Sequence, residues 1–216
     1  VIVQSPSVGS IVISGNKTIT LTVYDEAGNS TPCQAILTAN DVTPPVITLQ
    51  GEAQVVVELG SSYSDAGVTA TDNCDGNLTY AVQASGLPVN TSVVGTTLIT
   101  YTVRDVAYND ADPVIRTVNV VDTSRPYVES VLVLSSHTVQ VTFSKIMGTG
   151  VLDPSNYTIS GTGRGTLTLN PNTVDYVAPR IYRLTWNCPG IMKNGGNVTV
   201  TVNGVVADEY GNLMAA

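Results

Sequence analysis

The sequence predicts an all-β chain, tandem immunoglobulin-like sandwiches in a rod-like arrangement, and three observations carry that prediction. Apolar residues alternate with Thr or another polar residue in "TITLTVYD" (Thr18–Asp25), "TTLITYTVRD" (Thr96–Asp105), "TVQVTFS" (Thr138–Ser144) and "NVTVTVNGVV" (Asn197–Val206). A period of two puts one side of a strand in a core and the other in water. Helical periodicity is missing, and Gly, Pro, Asn and Asp break the alternating runs at short intervals, the pattern of sandwiches or barrels. Two markers also recur at nearly one spacing: 80 residues separate Asp25 from Asp105, and 81 separate Asp41 from Asp122. A module of about 80 residues is the size of a small immunoglobulin-like sandwich.

The elements follow in order. Proline-bearing segments at Asp41–Pro45 and Asp122–Pro126 mark the module boundaries, and proline makes such linkers short and stiff. The modules are therefore expected at residues 1–41, 42–122 and 123–216, the third longer and less similar to the others. "DEAGN" and "DEYGN" are expected to be hairpin turns, with Gly28 and Gly211 at positive φ. The first module is expected to lack its N-terminal strands, and the third to stop just after "DEYGN", where a closing strand would be expected. The chain is thus expected to begin and stop inside a module, as a fragment or a mature product does.

Composition excludes several classes. Of 216 residues, 43% are hydrophobic and only 12% charged, with a net charge of −8. The charged share is about half the usual one, so Ser, Thr and Asn carry solubility. Lys17, Lys145 and Lys193 are the only lysines, and no basic stripe exists to bind nucleic acid or an anionic membrane surface. No run of 18 apolar residues occurs, so no direct membrane insertion by a helix is expected. Thr-rich strands, few lysines and Asn-x-Ser/Thr triplets at Asn16, Asn29, Asn77, Asn90, Asn156 and Asn197 point to an extracellular or cell-surface location. These six are candidate glycosylation sites, although a Thr- and Asn-rich chain also generates such triplets by chance.

One stretch reads like chemistry: "TATDNCDGNLTY", Thr69–Tyr80. In an immunoglobulin-like sandwich the loop after the second strand, the loop between the last two strands and the incoming linker share one end. Those segments bring Asp72, Asn73 and Asp75, then Asp105, then Asp41 to that end. Hard oxygen ligands suit Ca²⁺, which takes six to eight of them. Asp65 in "YSDAG" is a further group that could come near. The competing reading is a plain turn, because Asp and Asn side chains bond to nearby backbone. The spacing is not that of an EF-hand.

Other signals point away from catalysis. A zinc site wants grouped Cys or His, whereas Cys33, Cys74 and Cys188 are far apart and His137 is the single histidine, expected exposed in a turn. Cys33 and Cys74 are not expected to pair, since a module length separates them in an extended rod. "SGTGRGTL" (Ser160–Leu167) precedes no helix and reads as a loop, not a phosphate cradle. No Gly-x-Ser-x-Gly elbow occurs, and one histidine gives a Ser-His-Asp triad little support. Trp186 sits in an alternating run and is expected in the core, not on a sugar-binding platform. The chain is not expected to be an enzyme.

Three resemblances add to this. "GNKTITLTVYDEAGNSTPCQAILTANDVTPP" resembles the C-terminal half of a hyalin-repeat domain, an extracellular adhesion module. Residues 42–122, with their "LG-x-x-Y-x-D-x-G-x-x-A-x-D-x-x-D-G" order, resemble the Ig-like modules of bacterial surface proteins. The segment from "PYVESVLVLSSHTVQVTFSKIM" to "VVADEYGNLMAA" is similar, more loosely, to the Ig-like domains of surface-layer proteins. These resemblances imply an extracellular structural protein, a subunit or segment of a filament, stalk or layer. An open sheet edge is a template for an added strand, so strand complementation between head-to-tail copies is an expected assembly mode. The alternative is an adhesin arm, or a carbohydrate-binding accessory region of a larger secreted protein.

Overall fold

Thr, Val and Ile dominate the alternating runs, and such side chains fit a pleated, half-buried surface. The computed structural model describes residues 1–10 and 15–215, and nearly all their regular structure is strand. In chain order these are β1 (Ile2–Ser5), β2 (Gly15–Tyr24), β3 (Ser30–Ala39), β4 (Val46–Leu49), β5 (Gln54–Glu58), β6 (Val68–Asp72), β7 (Gly76–Asn77) and β8 (Gln83–Ser85). Then come β9 (Gly95–Thr102), β10 (Val114–Val121), β11 (Val128–Ser135), β12 (Thr138–Phe143), β13 (Tyr157–Ser160), β14 (Thr173–Ala178), β15 (Ile181–Thr185) and β16 (Thr199–Val202). They fall into two compact units, Val1–Val121 and Asp122–Ala216.

The first unit holds three sheets. β1, β2 and β3 form an antiparallel sheet. Its register puts Ile19 beside Ala35, Leu21 beside Cys33, and Val23 beside Ile2, all on one face, while Thr18, Thr20 and Thr22 share the other. No described residue of this sheet is buried, so its apolar face is uncovered. The other two sheets, β4-β6-β7 and β5-β10-β9-β8, close a sandwich over Ile47, Val57, Ala70, Leu78, Ile99, Tyr101, Val103 and Val118. Each Val, Leu or Ile among them contributes about 1.5–3 kcal/mol on leaving water. β10 runs parallel to β5 and antiparallel to β9, the mixed pairing of an immunoglobulin-like sandwich.

A charge lies inside that sandwich. Arg116 on β10 is 1% exposed and is paired with Asp65. Its guanidinium also donates to the carbonyls of Glu52 (3.0 Å), Gln50 and Gly67 (3.2 Å) and to Tyr101 Oη (3.2 Å). Tyr63 and Tyr101 donate their hydroxyls to Asp65 at 3.0 and 2.6 Å. Burial alone would raise the Asp65 pKa, but these donors and the Gly67 amide hold it below the usual carboxylate range. Asp65 is therefore engaged with the core arginine and is not part of the acidic group around Asp72.

The second unit packs the sheet β11-β12-β15-β14 against the pair β13-β16. Val139, Val141, Phe143, Tyr157, Ile159, Leu184, Trp186 and Val206 fill the space between them. Trp186 is 2% exposed and donates Nε1–H to the Thr168 carbonyl at 3.1 Å. β16 is shorter than its alternating run, because Asn203 turns the chain by accepting the Val205 amide at 3.3 Å. No helix among the described residues is long and apolar enough to cross a membrane.

Candidate metal centre

The site begins with a turn. β6 ends at Asp72, which pairs with Gly76 on β7 across three residues, and Gly76 takes φ 73°. Asp72 Oδ1 accepts the amides of Cys74 (2.7 Å) and Asp75 (2.9 Å). The plain-turn chemistry is therefore present, and these amides hold the Asp72 pKa down, the Asp75 amide most strongly. It uses only one of the two oxygens. Asp72 Oδ2 is buried with no hydrogen-bond partner.

Two other segments complete the corner. Asp105, 6% exposed, lies in the β9–β10 turn and accepts the Asn109 amide and side-chain Nδ2, each at 2.7 Å. Asn109 Nδ2 also reaches the carbonyls of Asp41 (3.3 Å) and Thr43 (3.5 Å), tying the linker to the turn. Asp75 Oδ2 accepts the Val106 amide at 2.8 Å. In the linker, Asp41 Oδ1 accepts the Thr43 amide at 3.0 Å, while Asp41 Oδ2 is buried and unpartnered.

Four of the five residues expected from the sequence thus converge: Asp41, Asp72, Asp75 and Asp105 each place a carboxylate oxygen within 4.8 Å of the others. Asn73 is exposed at the tip of the turn. No salt bridge among the described residues reaches any of the four carboxylates. At this separation each pair of charges repels by roughly 3–4 kcal/mol at an effective dielectric constant near 20. Two oxygens on opposite sides of one Ca²⁺ lie about 4.6–5.2 Å apart, given ligand distances of about 2.3–2.6 Å. The set is compact enough for one hard cation.

The second unit repeats this corner with one change. Asp208 accepts the Asn212 amide (2.8 Å) and Nδ2 (3.0 Å), and Asn212 Nδ2 donates to the Asp122 carbonyl at 3.0 Å. Asp122 and Asp208 thus stand where Asp41 and Asp105 stand in the first unit. Here Lys145 Nζ lies 2.5 Å from Asp122 and 3.3 Å from Asp208. Burial alone would lower the Lys145 pKa, but the two carboxylates raise it above the usual range. An ammonium occupies the corner that, in the first unit, brings four carboxylates together with no cation beside them among the described residues.

Several expectations need correction. Cys74, with no partner foreseen, places Sγ within the same 4.8 Å limit of Asp41 and Asp72; burial and these carboxylates raise its thiol pKa. His137 is half-buried, with Nε2 3.6 Å from Cys188 Sγ. Asn156 is buried, and its Nδ2 donates to the Gly150 carbonyl at 2.9 Å, so its amide is not presented for glycosylation. The asparagines of the other five triplets, Asn16, Asn29, Asn77, Asn90 and Asn197, are exposed, although the Asn29 side chain donates to Asp25 at 2.8 Å. All three cysteines are free thiols. The sequence reading missed Asn109, Lys145 and Arg116. The shared Asp-x-x-x-Asn spacing of "DEAGN", "DVAYN" and "DEYGN" was the available signal for Asn109.

Comparison with known proteins agrees with this architecture. The chain is 32% identical over 129 residues to hyalin of Lytechinus variegatus, covering 57% of this chain and 24% of that protein. It is 29% identical over 118 residues to hyalin of Strongylocentrotus purpuratus, covering 52% and 10%. The chain thus spans a quarter or less of these relatives. A lipoprotein of Bacteroides thetaiotaomicron aligns over 73% of this chain and 99% of its own, with 13% identity and a TM-score of 0.33, too slight a likeness to inform function. Residues 47–120 match the family of bacterial surface protein, Ig-like domain. They contain the sandwich that carries Asp72, Asp75 and Asp105, so the likeness to that family falls on the part of the chain that holds the site.

Proposed function

We propose that the chain is a non-catalytic structural segment of an extracellular surface assembly, and that its first unit binds Ca²⁺ at Asp41, Asp72, Asp75 and Asp105. The observation that carries the metal reading is the pair of buried, unpartnered oxygens, Asp41 Oδ2 and Asp72 Oδ2, within a group of four carboxylates. Buried polar atoms nearly always have partners, and a divalent cation would supply one to both. Lys145 supports the same logic, since the matching corner of the second unit carries its own positive charge. Bound Ca²⁺ would pin the linker at Asp41 to the β6–β7 and β9–β10 turns and stiffen the entry to the sandwich. A load-bearing surface segment needs that stiffness. In the finer form of this proposal, copies join head to tail into a filament, stalk or layer.

Isothermal titration of chelator-treated protein with CaCl₂ tests the metal. One saturable site is expected, lost in Asp72→Ala/Asp75→Ala while the far-UV circular dichroism stays unchanged. Heat signals identical in the wild type and the double variant would reduce the group to a turn. Electron micrographs of the native material test assembly, with filaments or lattices expected and isolated particles counting against it.

A further inference from the structure

One thiol of the chain has a base beside it. Cys188 follows the end of β15, and its Sγ is 3.6 Å from Nε2 of His137, in the turn between β11 and β12. His137 Nδ1 lies 2.9 Å from Ser136 Oγ. Thiol, imidazole and orienting group in this order are the arrangement that activates a nucleophile. A serine hydroxyl both donates and accepts, so Ser136 holds the ring in either protonation state. In the protonated ring both nitrogens donate, Nδ1–H to Ser136 Oγ and Nε2–H to the sulfur.

Backbone bonds bring the two residues together. The Trp186 amide donates to the His137 carbonyl and the Met192 amide to the Ser136 carbonyl, each at 2.9 Å. The His137 amide donates to Ser135 Oγ at 3.2 Å, and the Asn187 amide to Asn172 Oδ1 at 2.8 Å. Beside them Thr138 pairs with Thr185 across β12 and β15. Paired strands therefore set the imidazole against the thiol, and the contact does not depend on two free side chains meeting.

The three cysteines differ in what surrounds them. Cys188 is exposed, so an incoming molecule reaches its sulfur. Cys33 is exposed too, but it sits on β3 opposite Leu21, and His137 is the single histidine. Cys74 is half-buried, and burial together with the carboxylates beside it opposes a thiolate there. The thiolate is the reactive form, and Cys188 is the cysteine with both access and a proton acceptor. One Cys and one His supply half of the four ligands zinc takes, so thiol chemistry fits the pair better than a metal does.

We infer that Cys188 is a modification site, an exposed thiol that takes up low-molecular-weight disulfides with His137 as its proton acceptor. The proton of Cys188 Sγ passes to His137 Nε2. The thiolate attacks one sulfur of the disulfide, a bond forms between Cys188 and that sulfur, and the disulfide's own S–S bond breaks. The second sulfur leaves as a thiolate and takes the proton from the imidazolium. Cys188 is thereby oxidised to a mixed disulfide, and the incoming disulfide is reduced to one free thiol. The step is independent of calcium and of self-assembly.

Oxidised glutathione serves as the probe, with each cysteine followed by mass spectrometry of its peptide. In the folded wild type at pH 7, Cys188 should be modified about tenfold or more faster than Cys33. His137→Gln should bring Cys188 down to the Cys33 rate and leave Cys33 unchanged. Wild type unfolded in urea, a measurement that needs no variant to fold, should give the two cysteines similar rates. Equal rates in the folded wild type would overturn the inference. So would an advantage of Cys188 that survives His137→Gln or unfolding, since the folded imidazole would then not be its source.

Discussion

Tyr108 stands where the other two Asp-x-x-x-Asn turns carry glycine. Gly28 and Gly211 have φ of 86° and 85°, and Tyr108 is held at 71°. A side chain in this left-handed region costs about 1–2 kcal/mol, while glycine gives back part of that through a freer unfolded chain. Tyr108 is exposed, so its replacement forfeits little packing. Tyr108→Gly should stabilise the first unit by about 0.5–1 kcal/mol, read as a higher urea midpoint at unchanged m-value. Lys145 makes the opposite case. Its ammonium faces Asp122 and Asp208, whose side chains are 3% and 1% exposed. Lys145→Met leaves those carboxylates together without a counterion, a change that typically costs about 3–5 kcal/mol. Lys145 and its neighbours hold the Asp122 pKa below 3.8 despite burial, so in the wild type this contribution is complete above that pH and fades as pH falls through the lower, folded-state value. In the variant the deficit should shrink on acidification, because protonated Asp122 no longer repels Asp208. Melting curves between pH 3 and 7 should therefore converge at the acid end.

Among the elements, β10 depends on a charge more than its neighbours do. Four of its eight residues face the core side, and one of them is Arg116. The guanidinium ties β10 to Asp65 and to the Gln50, Glu52 and Gly67 carbonyls, so it links three chain segments beside the sandwich interior. Asp65→Asn keeps the shape and removes the charge that balances Arg116. A loss of about 3 kcal/mol or more is expected for the first unit, seen by urea unfolding at pH 7. The sign with pH follows from the direction of the Asp65 shift. Its folded pKa lies below 3.8, so the wild-type advantage is full at neutral pH and is lost as pH falls through that folded value. At pH 2 the wild type and Asp65→Asn should differ much less than at pH 7. β11 shows the reverse condition, an element of ordinary side chains whose Val131 and Val133 are 38% and 46% exposed.

For the whole molecule the two units should respond differently to calcium. The corner of the first unit is bounded by four carboxylates, and that of the second contains Lys145. A ligand that binds only the folded state stabilises by about 2.7 kcal/mol at a hundred times its Kd. Calorimetry should therefore show two transitions, with one moving up by several degrees between chelator and saturating Ca²⁺ and the other fixed. If both move equally, or neither moves, the distinction drawn between the two corners is wrong.

The alternating runs, the turn residues and the spacing of Asp25, Asp41, Asp105 and Asp122 were enough to predict an all-β, immunoglobulin-like chain, because period-two patterning and turn chemistry are local properties written residue by residue. They also placed Asp72, Asp75, Asp105 and Asp41 at one end of a sandwich, since loop positions follow from strand order. The sequence alone left the turn and metal readings open, because both use the same residues. The tertiary structure added the buried oxygens of Asp41 and Asp72 that the turn leaves unpartnered. It also decided that Asp65 serves Arg116, that Cys74 lies against the carboxylates, and that Lys145 fills the matching corner. Arg116 with Asp65, Cys74 with Asp41 and Lys145 with Asp122 and Asp208 each join residues far apart in the chain, and distance in sequence carries no record of which side chains meet once strands pair. Which side of β11 turns inward was likewise decided in three dimensions: Val131, Leu132, Val133 and Leu134 are all apolar, and only the pairing with Val141 and Val139 puts the two valines on the core side.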